Sequence, residues 1–233
     1  MSSFMVVAID FGTAYSGYCF CVKDRIENIR SVFWGMEHGH RSPKTPTCIL
    51  FNEHEEFISF GYDAMMKYNR MTSTEALRYF FFENFKMDLY NKKITESLMI
   101  SAKNGEPLPA MKVFSESLRY LKDHALGTIK ESTCGRQFIA SDVTWVLTVP
   151  AIWDSKAKQF MRLAATRAGL VSEMSSENLI LALEPEAASV WCKQLPREGF
   201  VAEGGDQEKL QDTPGTQYIV VDCGGKILVV WHK

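Results

Sequence analysis

Val6-Val7-Ala8-Ile9-Asp10-Phe11-Gly12-Thr13-Ala14-Tyr15-Ser16-Gly17 is an apolar strand that runs into an aspartate and then a glycine turn. The same arrangement returns near the far end as Tyr218-Ile219-Val220-Val221-Asp222-Cys223-Gly224-Gly225. Glycine after a strand lets backbone N–H groups approach an anion, because no Cβ stands in the way. A carboxylate at the strand end can hold a hydrated cation beside that anion. Two such turns predict two half-sites on one nucleotide, with Asp10 and Asp222 ending neighbouring strands and facing a common cavity. Thr13, Tyr15 and Ser16 bring hydroxyls to the first turn, and strand ends of this kind are where open α/β sheets bind ligands. Taken alone, Asp-x-Gly-Thr is equally a hairpin with a capping aspartate. Asp10-Phe11-Gly12 is not the protein-kinase triplet, since neither a His-Arg-Asp loop nor the expected lysine precedes it.

Outward from the first turn, residues 5–10 and 15–22 predict a β-hairpin, with 29–34 as a third antiparallel strand. Pro43 and Pro46 make 41–46 a loop. A strand pair is expected at 47–51 and 56–60, then a helical stretch over 62–90 that packs Tyr79-Phe80-Phe81-Phe82 and Phe85 into a small core. Leu98 to Ile100 with the Lys103-Asn104-Gly105-Glu106 turn reads as a hairpin. Phe114, Leu118, Leu121, Ala125 and Ile129 form one apolar stripe of a helix over 111–130. Val143 to Val149 is a strand closed by Pro150. The helix after it starts at Asp154 or Ser155 and stops at Gly169. Leu179 to Leu183 reads as a short buried strand, and Glu184-Pro185 starts another helix. Residues 199–217 are a flexible acidic loop. The order implies an α/β fold: a mixed sheet flanked by helices, with a small α+β subdomain inserted at about 41–109.

Composition excludes several partners. A net charge of −2 over 233 residues, with scattered Lys and Arg, gives no footprint for nucleic acid. No segment approaches the roughly 20 apolar residues of a membrane span. The six cysteines read as reduced thiols of a cytoplasmic protein, without the spacing of a metal site. His38 and His40 read as solvated loop residues.

Four segments in order carry a family resemblance: Asp10-Phe11-Gly12-Thr13, Val149-Pro150-Ala151, Glu184-Pro185-Glu186-Ala187-Ala188 and Val221-Asp222-Cys223-Gly224-Gly225. They resemble phosphate-1, the proline-containing relay, the connecting helix and phosphate-2 of the actin-like ATPases, specifically the heat shock protein 70 family. Lys44-Thr45-Pro46-Thr47, Glu83-Asn84-Phe85-Lys86-Met87, Thr148-Val149-Pro150-Ala151-Ile152-Trp153 and Ala157-Lys158-Gln159-Phe160-Met161-Arg162 resemble its atypical heat shock 70 kDa protein 12 branch. The resemblance implies lobe I of a ribonuclease-H-like, actin-like ATPase domain. Residues 1–40 and 110–233 would be its subdomain IA and 41–109 its subdomain IB. It implies ATP or ADP as ligand, with Mg²⁺ held through water by Asp10 and Asp222. Gly12, Thr13, Ala14, Tyr15, Gly224 and Gly225 would line the phosphates, and Glu184 would join the two aspartates as the catalytic group. It also implies a chaperone of the stress response with client or signalling proteins as partners.

Two departures from the family pattern temper those expectations. In Gly61-Tyr62-Asp63-Ala64-Met65-Met66-Lys67 a methionine falls where the family's lysine is sought, and a thioether cannot stabilise charge on a transferring phosphoryl group. Gly224-Gly225 are followed by Lys226-Ile227, not by a third glycine and a threonine. Together with the absence of lobe II and a peptide-binding domain, this reads as a truncated form with weak nucleotide binding and weak or no hydrolysis. Its unfinished C-terminal sheet edge would favour self-association. A non-catalytic interaction module using the lobe I surface is the alternative.

Overall fold

The structure is a computed structural model that describes residues 3–25, 27–91, 93–192, 194, 219–223 and 228–232. Its centre is β1 (Met5–Phe11), whose alternate residues Met5, Val7, Ile9 and Phe11 are buried. The two-residue period of a strand puts all four on one face. The short turn after β1 leads into antiparallel β2 (Tyr15–Val22), which pairs with the short β3 (Arg30–Ser31) and, at its other end, with β4 (Thr45–Pro46).

A smaller sheet follows, made of β5 (Cys48–Phe51), β6 (Phe57–Phe60) and, after helix α1 (Gly61–Asn69) and the single turn α2 (Ser73–Ala76), strand β7 (Phe80–Glu83). One more helical turn, α3 (Asp88–Asn91), precedes a hairpin of β8 (Met99–Ser101) and β9 (Pro107–Pro109). Helix α4 (Ala110–Ser132) then leads to β10 (Val143–Val149), α5 (Ser155–Arg167), β11 (Leu179–Leu183) and α6 (Glu184–Cys192). β10 lies parallel to β1 and β11 parallel to β10, so the main sheet runs β11-β10-β1-β2-β3 with β4 on β2. It is the expected mixed sheet. β12 (Ile219–Cys223) and β13 (Leu228–His232) pair only with each other among the described residues.

The apolar interior is continuous between the two sheets. Phe114 of α4 sits at its middle, with ring contacts to Phe11 of β1, Phe85 and Phe160 of α5 at centroid distances of 5.9, 5.1 and 5.4 Å. The stripe of α4 and the face of α5 are buried as their spacing requires. Asp154 caps α5 by accepting from Ala157 N at 2.8 Å, and Gly169 follows α5 at φ 77°, where a side chain is disfavoured.

Four expectations change. The helical reading of 62–90 fails at Phe80–Glu83, which is a strand pairing with β5. Phe82 enters the main core and Phe81 a satellite cluster with Cys48, Leu50 and Ala64. An aromatic run buried on both faces shows no alternation in sequence, so its period of two is hidden. The strand at 29–34 shrinks to two residues, although Trp34 bridges back to Ser42. β11 is an edge strand with Ile180 exposed, not a buried one. β12, which carries Asp222, does not neighbour β1 in the sheet; the side chain of Asp222, residues Gly224 and Gly225 and the loop at 199–217 lie outside what is described.

His38 is not merely solvated but pairs with Asp63 at 2.7 Å, while His40 stacks on Tyr62. The five described cysteines are free thiols, and among the described residues no helix is long and apolar enough to cross a membrane.

A half-buried histidine tunes stability. His124 of α4 stacks on Trp34 at 4.3 Å and shares a 2.6 Å hydrogen bond with Tyr18 Oη. Burial holds its pKa below the ordinary 6.5. The unfolded chain therefore takes up a proton before the folded one, and stability falls as pH drops through 6.5 towards the lower folded value. Urea midpoints measured between neutral pH and pH of about 5 should decline for the native chain, and His124→Gln should flatten the decline. Truncating Phe114→Ala should cost about 3–5 kcal/mol in the same assay.

Candidate functional site

The carboxyl ends of β1, β10 and β11 lie side by side, and each ends in or beside a polar group: Asp10, Thr148 and Glu184. Parallel strands with short exits place such residues on one rim. Thr148 donates to Asp10 Oδ1 at 3.0 Å. Lys44, just before β4, donates to Asp10 Oδ2 at 2.5 Å.

Gly12, Thr13 and Ala14 form the turn between β1 and β2. A Cβ on Gly12 would stand 2.3 Å from Tyr15 O, so only glycine fits there. Thr47 pins the turn from outside. Its hydroxyl donates to Gly12 O at 2.8 Å and accepts from buried Ser16 at 2.7 Å, while its N–H donates to Ala14 O at 2.8 Å. Those bonds take up the carbonyls of Gly12 and Ala14. Tyr15 is half exposed at the turn's edge.

The residue that sequence reading missed is Lys86. Its side chain is only 4% exposed. Nζ donates to Phe11 O at 2.5 Å and to Glu184 Oε1 at 2.6 Å, and lies 5.4 Å from the centre of the Trp153 ring. Asn84 aims it: at φ 58° it adopts the left-handed turn that Asn tolerates, ending β7 and starting a 3₁₀ turn over Phe85–Met87. Phe85 goes to the core and Lys86 to the rim. A single lysine in a stretch dominated by aromatic residues was the available signal, since an ammonium buried there must be paired.

Met65 and Met66, the basis for doubting a cation at the site, lie on α1. Met65 packs on the satellite cluster of Cys48, Leu50 and Phe81. The site does hold a fixed cation, and it comes from residue 86. Pro150 leads out of β10 into a turn that carries Trp153 under Lys86. Of the predicted residues, the structure gathers Asp10, Gly12 and Glu184 around one turn with Thr13, Ala14 and Tyr15, and leaves the side chain of Asp222 and residues Gly224 and Gly225 undescribed.

Human heat shock 70 kDa protein 12B is 44% identical to the chain over 194 residues, which is 82% of this chain and 28% of that protein. Human heat shock 70 kDa protein 12A is 43% identical over 197 residues, or 83% of this chain and 29% of that one. Over this stretch the chain is homologous to the heat shock 70 kDa protein 12 family. It spans less than a third of the length of these relatives. No protein-family model matches it. The structure of MreB5 of Spiroplasma citri bound to ADP superposes with a TM-score of 0.50 over 98% of this chain and 48% of its own, at 12% identity. The fold is that of the actin-like ATPases.

The ligands expected from the sequence resemblance are ATP or ADP with Mg²⁺. In this heat-shock relative the phosphate side of that expectation fits: a turn open to close approach, with a buried ammonium behind it. The metal side does not fit as arranged. Asp10 would hold the hydrated ion, yet one of its oxygens accepts from Thr148 and the other is already paired with an ammonium.

The Lys86–Glu184 pair also bears on folding. Removing one member of a buried pair strands the other charge, which costs far more than removing both. Lys86→Met should lower stability in urea by about 3 kcal/mol. Adding Glu184→Leu should recover more than about 1 kcal/mol of that loss, the scale of coupling between contacting residues. Strict additivity would show that the two side chains do not interact.

Proposed function

We propose that this chain grips the phosphates of ATP or ADP at the Gly12–Tyr15 turn and supplies catalytic groups to an actin-like ATPase site. The observation that carries this reading is Lys86, buried behind the turn and bonded to both Phe11 O and Glu184. An ammonium fixed at the rim suits a group that gains negative charge as a phosphoryl oxygen breaks away, because it needs no reorganisation when the charge appears. Glu184, held by Lys86 at the start of α6, is placed to orient water. Residues 1–40 and 110–233 form the core of the unit on this reading, with 41–109 as its insert. Asp222, Gly224 and Gly225 would supply the second half-site on this reading.

A chaperone role, implied by the family resemblance, is part of the same proposal. Hydrolysis belongs to it too: the missing lysine was one of the sequence-based grounds for weak turnover, and Lys86 answers that one, while the shortened glycine turn at Gly224-Gly225-Lys226 stands. A second reading, a protein-interaction surface, draws on exposed Val190 and Trp191 of α6 next to Ile219 and Val221 of β12. The same face would serve self-association.

Fluorescence anisotropy with a labelled ADP separates the two readings. Saturable binding should be competed by ADP and ATP and at least about tenfold more weakly by adenosine, which lacks the charged phosphates. Gly12→Val should weaken it about tenfold or more by closing the approach to the turn. Glu184→Gln should leave nucleotide bound while phosphate release falls about 10²-fold. Absence of saturable binding, or adenosine competing as well as ADP, would sink the nucleotide reading and leave the interaction surface.

A further inference from the structure

We propose that Lys44 is a tethered counter-ion that stands in for a divalent metal at Asp10, so that this chain binds nucleotide phosphates without requiring Mg²⁺. The inference rests on the nucleotide reading above and concerns the cation that accompanies it.

Three features make the Lys44–Asp10 contact a built one. In the β1–β2 register Asp10 lies opposite Gly17. A Cβ on Gly17 would come 2.9 Å from Pro43 O and 3.3 Å from Lys44 Cγ, so glycine is what lets the 43–44 segment cross β2 at that point. The backbone on the far side of Lys44 is fixed by the β4 ladder, where Ser16 pairs with Thr45 and Tyr15 with Pro46. On the near side, Lys44 N donates to Ser42 Oγ at 3.3 Å, and Pro43 has restricted φ. The stem of Lys44 is thus laid over a glycine and aimed at one carboxylate oxygen. The second oxygen of Asp10 is satisfied by Thr148.

The charges then decide which cation is used. Mg²⁺ surrenders its water reluctantly and would meet Asp10 through its hydration shell. Lys44 meets the same carboxylate directly at 2.5 Å and is covalently tethered, so its effective concentration at Asp10 is high. Both partners are nearly half exposed, at 47% and 41%, so the pair is open to a phosphate arriving from solvent. An exposed ion pair of this kind contributes little to stability. The ammonium is therefore free to share its donors between Asp10 and a phosphate oxygen, since it carries three. With Lys86 behind the turn, two fixed cations then flank the place a polyphosphate would occupy.

Labelled-ADP anisotropy on the 233-residue chain, run in excess EDTA and in millimolar Mg²⁺, tests this. The native chain should bind with affinities within about threefold of each other in the two buffers. Lys44→Met should lose about tenfold or more in EDTA, the size of one hydrogen bond to a charged group, and regain most of it in Mg²⁺. Lys44→Arg, which keeps the charge, should remain insensitive to EDTA. Mn²⁺ titration followed by electron paramagnetic resonance gives a readout independent of nucleotide: Lys44→Met should bind the ion more tightly than the native chain. Gly17→Ala, which pushes the 43–44 segment away, should behave like Lys44→Met. A native chain that needs Mg²⁺ for binding, or a Lys44→Met chain as insensitive to EDTA as the native one, would overturn the assignment of Lys44 while leaving the nucleotide site standing. Failure of every variant to bind nucleotide in either buffer would instead remove the reading on which the inference rests.

Discussion

One ammonium ties the architecture together. Lys86 Nζ joins the smaller sheet, which delivers it through β7 and Asn84, to the end of β1 at Phe11 and to the first residue of α6 at Glu184. A lysine with so little access to water must have both partners, or the desolvation of its charge would outweigh the packing around it. The requirement works in both directions. It fixes where the chain beyond β7 can lie relative to β1, and it fixes how α6 begins after β11. The two sheets share one apolar interior, and this polar contact, together with those Thr47 makes beside β5, sets the rim of the main sheet in register with the smaller one.

The main sheet was legible because its strands alternate. Met5, Val7, Ile9 and Phe11 show a period of two with nothing to disguise it, and Val143 to Val149 ends at a proline that fixes its boundary. The caps of α5 were legible for a similar reason, since Asp154 and Gly169 each perform a local task that few residues can do. β7 was hidden because both of its faces are covered, so that Phe80-Phe81-Phe82 carries no polar marker of which way it points. β3 was overread because Ile29 and Phe33 are apolar yet exposed, a composition that favours strand without any core to bury it.

The site shows the same division. Asp10 and Gly12 lie within one local turn, and the chemistry of that turn could be read from the residues themselves. Glu184 was readable from its place between a strand and a proline. Lys86 was not, because its role depends on two groups that are distant in sequence and on a left-handed Asn84 that sends the chain inward. Searching for the cation in the helix at 61–67 looked for a local pattern, whereas the position is set by tertiary structure. Lys44 was visible as part of a Lys-Thr-Pro-Thr motif, but its contact with Asp10 needs Gly17 across the hairpin, a pairing that only the register of β1 against β2 reveals.

The charged groups around the turn thus meet their partners from afar. Asp10 is met by Lys44 from 34 positions away and by Thr148 from 138, while Phe11 is met by Lys86 from 75 and Lys86 by Glu184 from 98. Each such contact must offset the loop entropy of bringing its ends together, a cost that grows slowly with length but is incurred before the contact forms. The β1–β2 ladder can shape the Gly12–Ala14 turn early, since Phe11 pairs with Ser16 only a few residues away. The charges around it cannot assemble until β10 and β11 have docked on β1 and the smaller sheet has closed over β2. A turn open to phosphate and a set of cations able to hold one are thus separate products of folding: the first follows from glycine and strand geometry alone, and the second exists only in the completed sheet.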